Sequence, residues 1–115
     1  MPDESLAVLK GTLEFLALRT LAGHEELHGF EILDHIHRAT QQELQVEEGA
    51  LYPALHRMEK RGWLESRWGV SEKGRRARYY ALTTDGRAAL GEEEDRWARY
   101  VTAVGRLAPE RGAGA

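Results

Sequence analysis

Positive charge is concentrated in one part of this sequence, between residues 49 and 79. The chain of 115 residues has a formal net charge of -3. This segment nevertheless has a net charge of +5, because eight cations outnumber the anions Glu59, Glu65 and Glu72. Clustered lysine and arginine side chains can bind phosphates, although an ordinary scatter of surface charge is the alternative interpretation. The cations are Arg57, Lys60, Arg61, Arg67, Lys73, Arg75, Arg76 and Arg78.

Other residue types that carry chemistry lack the spacing that catalysis or metal binding needs. The chain has no cysteine and five histidines. On a predicted helix His35 and His37 would point in different directions, and His24 and His28 flank a predicted loop without a third ligand. No serine stands in a nucleophile motif, and no glycine-rich phosphate loop follows a strand. We therefore expect no enzyme activity, no metal site and no cofactor.

The length and the apolar pattern indicate one small cytoplasmic domain. A chain of 115 residues builds about one hydrophobic core. Charges interrupt each run of leucines, so none approaches the roughly 18 apolar residues that a membrane span needs. The first residues lack the basic and apolar regions of a signal peptide.

Leucine spacing predicts a first helix that ends at Gly23. One stripe contains leucines spaced by three and four residues, and a second stripe with Phe15, Leu18 and Ala22 lies on nearly the opposite side. Two apolar faces indicate two packing partners, of which one is the core and the other could be a second subunit. The first stripe consists of Leu6, Leu9, Leu13 and Leu16.

A second, shorter helix is predicted from Gly29 to about Thr40. Phe30, Leu33 and Ile36 recur there at helical spacing. A polar connection with few apolar anchors leads from it to the next helix.

The third predicted helix extends from about Gly49 to Arg61. Its core stripe of Leu51, Ala54, Leu55 and Met58 follows the spacing i, i+3, i+4, i+7. Pro53 lacks an N–H and is expected in the first turn, which places the start of the helix near residues 48–50. Basic residues followed by Gly62 are a C-terminal signal. The residues left on the other faces include Ala50, Tyr52, Pro53, His56, Arg57 and Lys60.

Two strand-like runs, residues 63–68 and 76–82, predict a β-hairpin with a basic tip. Both runs are rich in aromatic residues, and the link between them has a glycine near each end. We expect Trp63 and Trp68 to be hairpin and core residues.

A last helix is predicted from about Thr84 toward Leu107, with Thr83 as its N-cap. Its apolar residues recur at near-heptad spacing. Pro109 ends the helix, and residues 109–115 are predicted to form a disordered tail. The apolar residues are Leu90, Trp97, Val101, Val104 and Leu107.

The predicted order of elements is typical of a mainly α winged helix-turn-helix with a small β-hairpin. A helix fits the major groove of DNA, so the outward side chains Tyr52, His56 and Arg57 are candidates for reading bases. For Tyr52 the alternative is an aromatic residue that braces the hairpin. Cations at the hairpin tip, the wing, would contact phosphates without reading sequence. Residues 1–83 would then form the DNA-binding domain, and residues 84–108 a C-terminal dimerisation helix.

Four segments of this sequence resemble the signatures of the PadR-like transcriptional regulators. They are GTLEFLALRTL (residues 11–21), LHGFEIL (27–33), EGALYPALHRMEKRGWL (48–64) and GRRARYYALT (74–83). The resemblance extends over about residues 9–100. The chain differs from the family by Phe30, where tyrosine is frequent, and by Ala50, where serine or threonine is frequent.

The resemblance implies a homodimeric repressor that binds an inverted repeat in double-stranded DNA and is released by a small molecule. It also implies the short branch of the family, in which the first and last helices form the dimer interface. A tryptophan on the last helix of one relative stacks flat ligands, and Trp97 with Leu13 would have that role here, unless Trp97 only packs at an interface. The expected dimer interface is Leu6, Leu9, Leu13, Leu16, Leu90, Trp97, Val101 and Val104.

The expected DNA-binding residues combine the third helix and the wing. They are Ala50, Tyr52, Pro53, His56, Arg57, Lys60, Lys73, Arg75, Arg76 and Arg78, together with His28. The alternative function is a winged-helix module that binds another protein, since one fold hosts unrelated functions and the chain as a whole is acidic.

Overall fold

Helices and short strands alternate along the chain in the order β1-α1-β2-α2-β3-α3-β4-β5-α4. The computed structural model describes residues 6–9 and 11–107, and the predicted tail at 109–115 lies outside them. The mainly α fold with a β-hairpin is confirmed. The helices are α1 Leu13–Ala22, α2 Gly29–Ala39, α3 Glu48–Lys60 and α4 Thr84–Gly105. The strands are β1 Leu6–Ala7, β2 Leu27–His28, β3 Leu44–Gln45, β4 Leu64–Val70 and β5 Arg76–Leu82.

The hairpin of β4 and β5 belongs to a three-stranded antiparallel sheet in the order β2-β5-β4. Its register extends from Leu64 opposite Leu82 to Val70 opposite Arg76. The sequence pattern did not reveal β2, which adds only two residues to the sheet. It also missed the short parallel pair of β1 and β3. Strands of two residues are too short to produce an alternating pattern.

The core lies where α1, α2 and α3 meet the base of the hairpin. Its fully buried large side chains come from all three helices, and the hairpin adds Leu64, Tyr80 and Leu82. Removing these apolar surfaces from water is the main contribution to the stability of the fold. The fully buried large side chains are Leu18, Leu21, Ile32, Leu51, Leu55 and Met58.

The first helix is shorter than predicted, because it begins at Leu13 and not at Leu6. Leu6 lies in β1, where its N–H donates to the carbonyl of Glu43 at 2.6 Å. Leu9 is 61% exposed in the loop that follows. Gly11 adopts a φ of 87°, a left-handed conformation that interrupts a helix. The stripe predicted from Leu6 to Leu16 is therefore not one helical face.

The bounds of α3 agree with the prediction to within one residue, but the predicted position of Pro53 in the first turn was wrong. The helix starts at Glu48, so Pro53 lies in the second turn and not in the first. The proline cannot donate to the carbonyl of Gly49, four residues earlier. Both residues are exposed, so water can bind that carbonyl instead.

Helix α4 begins as predicted at the cap Thr83. The Thr83 hydroxyl accepts a hydrogen bond from the Gly86 N–H at 3.0 Å and donates one to the Gly62 carbonyl at 2.6 Å. Leu90, expected at the dimer interface, is instead part of the core of its own chain and only 9% exposed. The helix packs against α1. None of the helices in the described ranges is long and apolar enough to cross a membrane.

Candidate nucleic-acid interface

The outward face of α3 carries exposed residues opposite the core stripe. Gly49, Pro53, His56 and Lys60 recur there at spacings of three and four, and each is exposed. A helix with such a face, standing free of neighbouring elements, has the shape that fits a DNA major groove. Two of the predicted contacts, Tyr52 and Arg57, lie on the flanks instead. They are five residues apart and so about 140° apart around the helix.

Tyr52 lies on the flank of α3 that packs against the start of α2. Its ring fills the space next to Gly29, where an added Cβ would lie 2.3 Å from the Tyr52 Cε1 atom. Burial, with a smaller contribution from the charge of Glu48, raises the pKa of the Tyr52 hydroxyl above its ordinary value. The side chain still keeps 43% of its surface exposed. Tyr52 therefore braces α3 against α2 and can still present part of its ring to a partner.

Arg57 lies on the opposite flank, facing α1. Its Nη2 atom donates to the Glu14 carboxylate at 3.2 Å. The arginine side chain is about half exposed, whereas Glu14 is more buried. The ion pair connects α3 to the first turn of α1, so a DNA phosphate would have to compete with Glu14 for Arg57. Ala50 lies on the same flank about two helical turns before Arg57, and Ala50 and Arg57 line one groove.

His28, predicted to bind DNA, is the N-cap of α2. Its Nδ1 atom accepts a hydrogen bond from the Glu31 N–H, and the Glu31 carboxylate accepts one from the His28 N–H at 3.0 Å. This reciprocal pair is a capping box, with histidine where serine or threonine is usual. The ring also meets Tyr79 edge to face at 5.3 Å between centroids. These contacts give His28 a structural role at the start of α2 that does not require DNA.

The wing carries a cluster of two arginines on an exposed tryptophan. The guanidinium carbon of Arg76 lies 4.2 Å from the centre of a Trp68 ring, and that of Arg78 lies 5.3 Å from it. Arg78 also donates to the Ser66 hydroxyl at 2.9 Å and pairs with Glu59 of α3 at 3.5 Å. Trp63 packs against the core as expected, whereas Trp68 does not, since the wing extends beyond the core.

Arg67 binds the other face of the hairpin to the loop before β2. It donates twice to the carboxylate of Glu26, and its guanidinium lies over the Tyr79 ring at 4.8 Å. The hydrogen bonds from Arg67 lower the pKa of the Glu26 carboxyl and raise the pKa of Arg67. The sequence pattern showed Arg67 only as one cation of the basic segment. Its partner Glu26 is 41 positions away, so no local pattern indicates the pair.

The tip of the wing is basic and exposed. Lys73 and Arg75 lie in the turn between the strands, and Arg76 begins β5. The Arg75 N–H and carbonyl bond to Ser71, which closes the turn. Together with Lys60, these residues give an exposed positive surface on the wing and on α3.

Trp97 of α4 lies beside an open groove between α1 and α4. Its ring packs on Phe15 and stacks on Tyr100, each with centroids 6.1 Å apart. The groove has a volume of about 460 Å³, and Leu9, Gly11 and Thr12 contribute to its wall. Leu13, predicted to share a ligand with Trp97, lines a neighbouring groove on the other side of α1. Within one chain the two residues are thus not brought together.

The second half of α4 presents a stripe of exposed apolar side chains. The helix continues well beyond Leu90, the last α4 residue buried in the core. Spacings of three and four place the members of the stripe on one side of the helix. They are Trp97, Tyr100, Val101 and Val104 within α4, and Leu107 in the turn that follows it.

Comparison with known proteins gives the family of this chain. The sequence profile of the transcriptional regulator PadR-like family matches residues 18–92, which include α2, α3 and the wing. The chain belongs to the PadR-like family. As a member, this PadR-like protein is a DNA-binding transcriptional regulator and not an enzyme.

Proteins similar to this PadR-like regulator come from several bacteria. Transcriptional regulator Rv3488 of Mycobacterium tuberculosis is 40% identical over 72 residues, covering 63% of this chain and 64% of that protein. A solved transcriptional regulator from Clostridium thermocellum superposes with a TM-score of 0.79 at 25% identity, covering 87% of this chain and 96% of the other. A PadR family regulator from Eggerthella lenta has a TM-score of 0.72 at 30% identity, with coverages of 85% and 82%.

Proposed function

We propose that this protein is a cytoplasmic, homodimeric repressor that binds an inverted-repeat operator and is released by a small molecule. Residues 1–83 form its DNA-binding unit and residues 84–108 its dimerisation helix. The observation that carries the proposal is the division of surface between the two units. The polar face of α3 and the basic wing belong to the first, and the apolar stripe of α4 belongs to the second.

Sequence reading is assigned to the outward face of α3. The exposed side chains of His56 and Lys60 project from this face toward base edges, and Pro53 leaves room for a close approach. Ala50 leaves room on the flank that carries Arg57. Tyr52 adds a contact from the flank next to α2. Arg57 contributes only if it leaves Glu14, so we expect it to be weaker than its charge suggests.

Affinity is assigned to the wing through Lys73, Arg75 and Arg76. Exposed cations at a hairpin tip bind phosphates and release counterions, which makes binding depend strongly on salt. Arg78 supports them from its place between Glu59 and Trp68. His28 contributes by capping α2, whose start lies next to Tyr52.

Dimerisation is supported by the exposed apolar surface of α4 and by Leu9. A single half-site contacts few bases, and two copies at a fixed spacing read an inverted repeat with higher affinity. The stripe on α4 and the exposed Leu6 and Leu9 before α1 are apolar surface that a second copy would cover. Leu16 of α1 is only partly exposed and also packs against the core of its own chain. A symmetric interface of this kind pairs the same surface of both copies.

The groove beside Trp97 is the site proposed for a planar aromatic effector. Its rings, from Phe15, Trp97 and Tyr100, offer stacking surfaces near the proposed dimer interface. Quenching of tryptophan fluorescence by planar compounds, lost in Trp97→Ala, would support this assignment. Quenching that persists in the variant would contradict it.

The function is tested by operator binding at two salt concentrations with charge-matched variants. Arg75→Ala combined with Arg76→Ala should weaken binding to all duplexes and reduce the salt dependence by about two phosphate contacts. His56→Ala should instead reduce the difference between operator and unrelated DNA. Arg87→Ala combined with Arg99→Ala, which also removes two exposed cations but on α4, is the control. Failure of the unmodified protein to bind any duplex from its own promoter region would contradict the proposal.

A further inference from the structure

Trp68 is an unusually exposed tryptophan on the middle of a wing strand. Its side chain keeps 51% of its surface exposed. Within the described residues, the cations that contact its ring are Arg76 and Arg78 of β5. Burial of an indole ring in the core would stabilise the fold far more than its partial burial at this position does. Packing of the core therefore does not explain a tryptophan here.

The ring lies on the face of the hairpin that turns toward α3. Side chains alternate along a strand, so Trp68 shares its face with Ser66, and the register places Arg78 opposite Trp68. On this face the Ser66 hydroxyl donates to the Glu59 carboxylate of α3 at 2.6 Å. Glu59 is on the same flank of α3 as Tyr52, so the Trp68 face of the wing lies beside the outward face that is proposed to enter the major groove.

The two arginines on the ring are held in different ways. Arg78 has a carboxylate and a hydroxyl as partners in addition to the ring. Arg76, the closer of the two to Trp68, forms no ion pair within residues 6–9 and 11–107. Attraction between a guanidinium and an aromatic face holds the long side chain while its N–H donors remain available.

We infer that Trp68 is a positioning residue of the DNA interface, whose ring holds Arg76 for a backbone phosphate. The inference rests on the proposed docking of the wing on DNA. A guanidinium already held in place loses less conformational entropy when it binds a phosphate than a freely rotating one. The opposing interpretation is that the arginines merely cover an apolar ring, in which case Trp68 would affect stability and not affinity.

A double-mutant cycle on operator affinity separates these interpretations. Trp68→Leu keeps an apolar side chain but removes the aromatic face, and it should weaken binding by about three- to tenfold. Trp68→Phe keeps an aromatic face and should retain most of the affinity. In the Arg76→Ala background, Trp68→Leu should have little further effect, because the side chain that it positions is gone. An equal loss in both backgrounds, or no loss, would overturn the inference.

A second measurement follows the Trp68 ring itself, by fluorine NMR, while the protein with Trp68 in place binds DNA. The whole protein labelled with 5-fluorotryptophan should give fluorine signals from three tryptophans, which Trp68→Phe and Trp63→Phe assign. Saturating operator duplex should shift the Trp68 signal, whereas the signal of Trp63, packed against the core, should stay in place. An unmoved Trp68 signal on a protein that binds operator would overturn the inference alone. Absence of operator binding by the unmodified protein would overturn the proposed function as well.

Discussion

Single residues decide how α3 is presented, and Gly29 is one of them. It allows the Tyr52 ring to lie directly against the first turn of α2. The capping box of His28 and Glu31 fixes that same turn. One glycine, one tyrosine and one cap therefore help to fix how α3 lies against the start of α2. The contact is local, so it can be tested without disturbing the rest of the core.

Gly29→Ala is expected to destabilise the protein by about 1–3 kcal/mol through overpacking. The added methyl group would overlap the Tyr52 ring, which must then move outward. In a Tyr52→Ala background the same change should be neutral or slightly stabilising, because the space is empty and alanine favours helices. Urea unfolding of the four variants measures the coupling.

Gly91→Ala on α4 is the matched control for Gly29→Ala. Its added Cβ has nothing within 4 Å, and the substitution should stabilise the protein by up to about 1 kcal/mol. If Gly29→Ala costs the same with and without Tyr52, the ring does not restrict residue 29.

At the scale of elements, the wing and α4 are joined through one threonine. Thr83 caps α4 and also donates to Gly62, the residue that follows the end of α3 and its C-cap. The neighbouring Gly86 lies so close to the Trp63 carbonyl that an added Cβ would be 2.1 Å from its oxygen. Helix α4 therefore starts at a fixed distance from α3 and the base of the wing. A dimer built on α4 would transmit this geometry to the two copies of α3.

Thr83→Val is expected to lower the free energy of unfolding by about 1–2 kcal/mol. Valine has the shape of threonine but cannot accept the hydrogen bond from Gly86 or donate to Gly62. Thermal and urea unfolding measure the loss. Thr102→Val, on an exposed turn of the same helix, should change stability by less than about 0.5 kcal/mol. Equal effects of the two substitutions would show that the cap contributes nothing.

At the scale of the whole molecule, the two ends of the structure have different surfaces. The end with α3 and the wing tip is polar and basic, while the end formed by α4 is apolar along one side. The formal net charge of -3 hides this division, because acidic residues elsewhere outweigh the wing. Such a molecule can approach DNA with one end while a second copy covers the other.

Val101→Glu is expected to raise the dissociation constant of the dimer at least tenfold, because an unpaired charge would be buried at the interface. Analytical ultracentrifugation over a range of concentrations measures this. Thr102→Glu, on the opposite side of the same helix, is the control and should leave association unchanged. If the unmodified protein is monomeric at micromolar concentration, or if both variants dissociate equally, the α4 stripe is not the dimer interface.

The sequence by itself was sufficient for the parts of this protein that depend on local patterns. The apolar spacing of Leu51 to Met58, the glycine at 62 and the cap at Thr83 predicted α3 and the start of α4 within a residue or two. The two aromatic runs predicted the hairpin, and the lysine and arginine residues between and after them predicted that its tip is basic. Four motifs led to the family that the comparison confirmed.

Tertiary structure alone decided which side chains are engaged with distant partners. Glu14 with Arg57, Glu26 with Arg67 and Gly29 with Tyr52 join residues far apart in sequence, and no local period encodes such pairs. For the same reason the leucine stripe was wrong at Leu6, where a distant strand supplied a backbone partner that a helix would have supplied locally. Spacing fixes which face a residue occupies, but packing decides whether that face is core, ion pair or open surface.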